Sequence, residues 1–168
     1  ILLVSFAPDI LIGDGYSEVE ARSVTSLFMW VSLVSAPLGG RVIEVLGHMT
    51  ATIIVMTAFS AVGMMAIAYG MATEVSFVVV GITLGVAVGA LMSLSSEAVS
   101  PENRGPGLGI FYTWYYIGMT ISPMIAGWTK DMTGITSAPV MLAAGMLVVT
   151  IICVGLFRLL QKTWPITT

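Results

Sequence analysis

"SAPLGGRVIEVLGHM" spans residues 35–49, and its reading decides the fold. Three glycines and the side chains of Arg41, Glu44 and His48 stand between two long apolar runs. Gly39 and Gly40 let two helices approach where larger side chains would keep them apart. Glu44 lies four residues beyond Gly40, so the two share one helical face. An acid there can face the positive N-terminal end of a neighbouring helix or pair with a base. Gly47 admits the left-handed backbone of a tight turn. Helices held by glycines and one charge pair can separate and re-form, as a gate does. The same pattern also suits a solvated turn between two helices.

The composition around this stretch sets the solvent. Only 9% of the 168 residues are charged and 57% are hydrophobic, where a soluble domain carries about 25% charged residues. The mean hydropathy is +1.01. This is an integral membrane protein, with the lipid bilayer as its first partner. No basic stripe or zinc spacing is present, so no nucleic acid is expected as a partner. The single cysteine, Cys153, excludes an internal disulfide and a Cys-based metal site. No Gly-x-x-x-x-Gly-Lys motif is present, so no ATP site is expected, and neither is a cofactor or a metal. The opening "ILLVSFAPDILI" (1–12) has no basic leader or cleavage site. It is also shorter than the roughly twenty residues that cross a bilayer. The expectation is a truncated first helix in a fragment of a longer protein.

Five apolar segments follow, roughly 21–43, 49–72, 75–97, 106–128 and 136–160. All read as helices, because backbone groups in lipid must bond within their own segment. Short connectors carrying turn residues make neighbours antiparallel. With the 41–48 connector in the cytoplasm, Arg41, Arg104, Arg158 and Lys162 lie inside and Arg22 and Lys130 outside. The four-to-two bias sets the expected orientation.

The chain also repeats itself. Shifted by 87 residues, "SAPLGGRVIEVLG" (35–47) meets "SPMIAGWTKDMTG" (122–134). Ser35 meets Ser122, Gly40 meets Gly127, Glu44 meets Asp131 and Gly47 meets Gly134. An odd number of crossings separates the copies, which implies an inverted three-plus-three helix repeat. The frame Gly40-x-x-x-Glu44-x-x-Gly47-His48 resembles the loop signature of the major facilitator superfamily, Gly-x-x-x-Asp-(Arg/Lys)-x-Gly-(Arg/Lys). Here Glu44 replaces Asp, Val45 stands where a base is usual, and His48 replaces a stronger base. Such weakening resembles the copy in that family's second half. "SPENRGPGLGIFYTWYYIGM" (100–119) resembles the family's Pro-Glu-x-Arg-Gly loop and the glycine-rich helix after it. The wording of residues 109–119 is similar to the cyanate-permease-like branch. The resemblance implies an all-α membrane protein, the C-terminal six-helix half of a twelve-helix fold, with its first helix truncated. The implied partners are the absent N-terminal half and a small-molecule solute, and the implied place is the plasma membrane, in a bacterium the inner one.

The resemblance further implies a cavity lined by the first, second, fourth and fifth helices, with the third and sixth facing lipid. Ser26 and Trp30 share a face of the second helix, and either a cavity role or packing explains them. Tyr112, Tyr115 and Tyr116 surround Trp114 on the fifth. Rings with polar tips can hold a small solute, or they can form an interfacial belt. Gly81, Gly85, Gly89 and Ser93 recur every four residues on the fourth helix and read as a close-packing face. The gating candidates are Gly40, Arg41, Glu44, Gly47 and Arg104, the last a candidate partner for Glu97 or a positive-inside anchor. The expected function is secondary transport, with an anion fitting better than a cation because no acidic pair lies in the spans. Any positive charge for it is expected from the other half. An intramembrane enzyme lacks paired acids, a His pair or an activated serine. A small self-dimerising membrane protein or scaffold is the alternative.

Overall fold

The computed structural model describes residues 1–71, 74–97 and 99–163, and gives only the backbone of Leu46, Glu97, Lys162 and Thr163. Among these residues the chain is all helix: α1 (Leu2–Gly13), α2 (Glu18–Leu46), α3 (Met49–Ala68), α4 (Glu74–Glu97), α5 (Arg104–Thr133) and α6 (Ala138–Thr163), with one 3-10 turn at Pro101–Asn103. By length and composition, four helices can cross a membrane: α2, α3, α4 and α6. α1 is short, at 12 residues. α5 is long, at 30 residues, but Gly, Thr, Tyr, Trp and Pro make it less apolar than those four. The 106–128 segment of the sequence is therefore the one of the five expected spans that is not apolar enough along its length to count among these four.

Helix ends follow local chemistry. α2 begins at Glu18 because Ser17 and Glu20 form a capping box. The Glu20 carboxylate accepts from the Ser17 N–H at 2.9 Å, and Ser17 Oγ accepts from the Glu20 N–H at 3.3 Å. Together they satisfy two otherwise orphan groups. At its other end α2 runs through Arg41 and Glu44 to Leu46. The charged stretch is thus the last part of the helix, and Gly47 alone is the turn. Gly47 caps α2 at φ 65°, ψ 7°, its N–H donating to the Ile43 carbonyl at 2.8 Å. Gly134 caps α5 at φ 68°, ψ 6°, its N–H donating to the Lys130 carbonyl at 2.8 Å. Both glycines and both acceptors are 87 residues apart, so the repeat seen in the sequence is matched in backbone conformation.

Two apolar clusters hold the helices. One gathers α1 with the start of α2, the end of α3, the starts of α4 and α6, and Ala126 near the end of α5. The other joins the end of α2, the start of α3 and the ends of α4 and α6. Successive helices from α2 onward therefore run in opposite directions. Arg158 on α6 donates from Nε to Thr50 Oγ1 at 2.8 Å, which sets the end of α6 beside the α2–α3 turn. At the other end Lys130 on α5 donates to Asp9 on α1 at 2.5 Å, with its ammonium 6.0 Å from the Phe6 ring.

In lipid, helices associate through close packing rather than through expulsion of apolar surface from water. The α2–α4 contact shows this. A β-carbon on Gly85 would collide with Ser35 Oγ, and one on Gly89 with the Ala36 carbonyl oxygen. One on Gly39 would lie 2.5 Å from the Val86 carbonyl oxygen. Ser35 and Ser32 hydroxyls donate to the Gly81 carbonyl at 3.1 and 3.3 Å. The glycine ladder of α4 is thus a packing face. On the α2 side the glycine at the contact is Gly39; Gly40 has only Ser93 Oγ nearby, at 3.9 Å from a built β-carbon.

Candidate functional site

The outward faces of the helices differ in chemistry. α3 exposes Val55, Phe59 and Val62, and α6 exposes Val148, Val149, Ile152, Leu156, Leu159 and Leu160. Thr52, Thr57 and Ser60 of α3 are buried inward. Those faces suit lipid. α2 turns its packed side, with Phe28, Ser35 and Gly39, onto α4, and leaves a mixed stripe outside. That stripe contains Arg22, Ser23, Ser26 and Trp30, with Trp30 67% exposed. A shallow groove of about 500 Å³ runs along it, lined by Val19, Arg22, Ser23, Ser26, Leu27 and Trp30. Ser23 and Ser26 donate their hydroxyl protons to the carbonyls of Val19 and Arg22, both at 2.8 Å. Each therefore offers lone pairs, or a donor after rotation. The indole N–H of Trp30 is a donor only.

α5 carries the second exposed group. Phe111, Tyr112, Tyr115 and Tyr116 form a run of ring contacts with centroids 5.4–6.4 Å apart. Tyr112 and Tyr116 are stacked, at 6.4 Å and 29°. All three tyrosines are exposed. The Tyr112 hydroxyl reaches Met92 Sδ on α4 at 3.9 Å. Trp114, 69% exposed, lies two residues from Tyr112, off that face. The only buried residue of α5 is Ala126, so almost its whole length is open. α2 and α5 both border α1 and α4, and each holds a polar–aromatic surface among the described residues.

A smaller, more apolar recess lies elsewhere. A groove of about 370 Å³ between α4, α5 and α6 is lined by Leu91, Leu94, Phe111, Val154 and Phe157, with Ser95, Thr150 and Cys153. It has no convergent polar set and is not the candidate site. Nor does any group of His, Cys, Asp or Glu among the described residues form a metal site.

The gating candidates are spread along the other end. Arg41 and Glu44 are exposed on the last turns of α2, and Gly47 ends that helix. Arg104 is exposed at the first position of α5. Among the described residues Glu44 has no ion-pair partner. The side chain of Glu97 lies outside the described residues, and so does that of Lys162.

Residues 1–166 match the family model of the Major Facilitator Superfamily. The chain belongs to that superfamily. Major facilitator proteins are multi-pass membrane transporters that move small solutes, and the apolar helices here fit that description. No curated protein and no solved structure gives a significant match to the chain.

Sequence reasoning named Ser26, Trp30 and the three tyrosines, and the structure exposes them all. Arg22, which counts in the sequence only as an outside charge, lines the same groove as Ser26 and Trp30. Helical spacing was the available signal, since Arg22, Ser26 and Trp30 recur every four residues.

Proposed function

We propose that this major facilitator chain is the C-terminal six-helix half of a secondary active transporter. It moves a small solute, an organic or inorganic anion, by rocking against an N-terminal half in alternating access. One observation carries the reading: α2 and α5 expose hydroxyls, tyrosines and indoles, while the outward stripes of α3 and α6 are aliphatic, phenyl and sulfur-bearing. Polar side chains within membrane spans seldom face lipid and mark solute pathways. Ser26, Trp30, Tyr112, Tyr115 and Tyr116 then border the cavity, each presenting ring surface or a hydrogen-bonding tip. The wording of α5 favours the cyanate-permease-like branch. The protein sits in the plasma membrane, in a bacterium the inner membrane, with the Gly47 end in the cytoplasm. Glu44, without an ion-pair partner among the described residues, takes its gate partner from the other half. The solute crosses unchanged, so the protein is a carrier and not an enzyme.

The test uses the full-length protein in proteoliposomes with labelled cyanate, bicarbonate and formate. Uptake above protein-free vesicles is expected, with loss of at least about ten-fold in kcat/KM for Trp30→Ala, the rough equivalent of one lost ring contact or hydrogen bond. Wild-type protein that takes up none of these anions would overturn the anion assignment. If it also takes up no neutral or cationic solute, the transporter reading goes with it.

A further inference from the structure

Arg22 is the one charged side chain among the residues that line the α2 groove. It lies one turn from Ser26 and two from Trp30, so a solute entering along this stripe meets the guanidinium first. Its contact is with Glu18, one turn back on the same helix, at 2.5 Å. Both side chains are widely exposed, at 72% and 67%, and exposed i,i+4 pairs of this kind are weakly held. The guanidinium has five N–H donors in a planar fork. One nitrogen contacts Glu18, so other donors remain to bond a carboxylate or another oxyanion.

The neighbouring carboxylates are engaged elsewhere or lie off the groove. Asp9 is bonded to Lys130 on α5. Glu20 is turned back onto the N–H and hydroxyl of Ser17. Asp14, Glu74 and Asp131 are exposed and line no part of the groove. The charge at this mouth is set by Arg22 and by how tightly Glu18 holds it. A lipid-facing position would explain the charge as an interface anchor, yet Ser23, Ser26 and Trp30 continue the same face inward, and the outward stripes of α3 and α6 carry no such polar run.

We propose that Arg22 is the charge-selecting residue of this transporter half, a guanidinium at the mouth of the α2 groove that admits anions, with Glu18 as its competing internal ligand. The proposal rests on the groove being part of the solute pathway. It predicts opposite effects for the two partners: removing Arg22 weakens anion entry, and removing Glu18 strengthens it.

The experiment places Ser26→Cys in the full-length protein with Cys153→Ser and measures modification of the introduced thiol by three methanethiosulfonates, one neutral, one bearing a sulfonate and one bearing trimethylammonium. A unit charge about 6 Å away in water changes the local concentration of a charged reagent about three-fold at low salt. The two charged reagents shift in opposite directions, so Arg22→Gln should lower the sulfonate-to-ammonium rate ratio by about ten-fold at low salt, and Glu18→Gln should raise it. Arg22→Lys should keep most of the ratio, because it keeps the charge. A thiol that reacts with the neutral reagent but shows the same ratio in all variants overturns the role of Arg22 and leaves the pathway standing. A thiol that the neutral reagent cannot reach overturns the pathway, and the proposal falls with it.

Discussion

At the scale of single residues, Gly47 and Gly134 are the clearest case of sequence dictating structure. Both hold a left-handed backbone at a helix end, where a β-carbon is penalised by roughly 1 kcal/mol or more. Neither has a side-chain neighbour within 4 Å of a built β-carbon, so the penalty is conformational alone. Gly47→Ala and Gly134→Ala should destabilise the protein by similar amounts of about 1 kcal/mol, read from unfolding in mixed micelles. A large difference between the two would mean that the matched caps do different work. Glu44 is the opposite case, exposed and with no ion-pair partner among the described residues. Glu44→Gln should slow uptake by the full-length protein and leave insertion intact; equal uptake at equal expression would remove it from the gate. Arg22 shows why residue roles were only partly legible. Its charge was visible, but its role depends on which face of α2 packs on α4, and Ser35 and Gly39 settle that only in three dimensions.

At the scale of elements, the hydropathy pattern gave the number and order of helices, because in lipid nothing else satisfies the backbone. It was less informative about their ends. α2 starts earlier than its apolar run because the Ser17–Glu20 box, legible as Ser-x-x-Glu, carries the helix out past the apolar core. α5 runs on through Lys130 and Asp131 to Thr133, past the point where its apolar character fades. The packing face of α4 was legible from its four-residue glycine period, and its partner was not. The α2–α4 contact makes a test. Gly85→Ala puts a methyl group where Ser35 Oγ lies, with the Ser32 carbonyl oxygen at 2.9 Å, and overpacking of this kind costs about 1–3 kcal/mol. Gly145→Ala on α6, with nothing within 4 Å of a built β-carbon, should be neutral or slightly stabilising. Equal melting temperatures for the two variants would show that the α2–α4 interface yields more than its geometry implies.

At the scale of the whole molecule, the two ends of the bundle are distinguished by their polar ties: Arg158 to Thr50 at one and Lys130 to Asp9 at the other. Val45 and Ile135 lie at opposite ends and are both exposed. A cysteine introduced in place of Ile135 should react with an impermeant maleimide from outside intact cells, and one in place of Val45 only after permeabilisation; the reverse pattern would invert the orientation. The matched caps on α2 and α5 carry one consequence for ancestry. If the two helix triplets descend from a single ancestral unit, that unit entered the membrane in both directions. A protein that inserts both ways cannot keep a strong excess of Lys and Arg at either end. Within the given sequence of α1–α3, Arg22 stands at one end and Arg41 at the other. The given sequence carries its excess in the second triplet, where Arg104, Arg158 and Lys162 oppose Lys130.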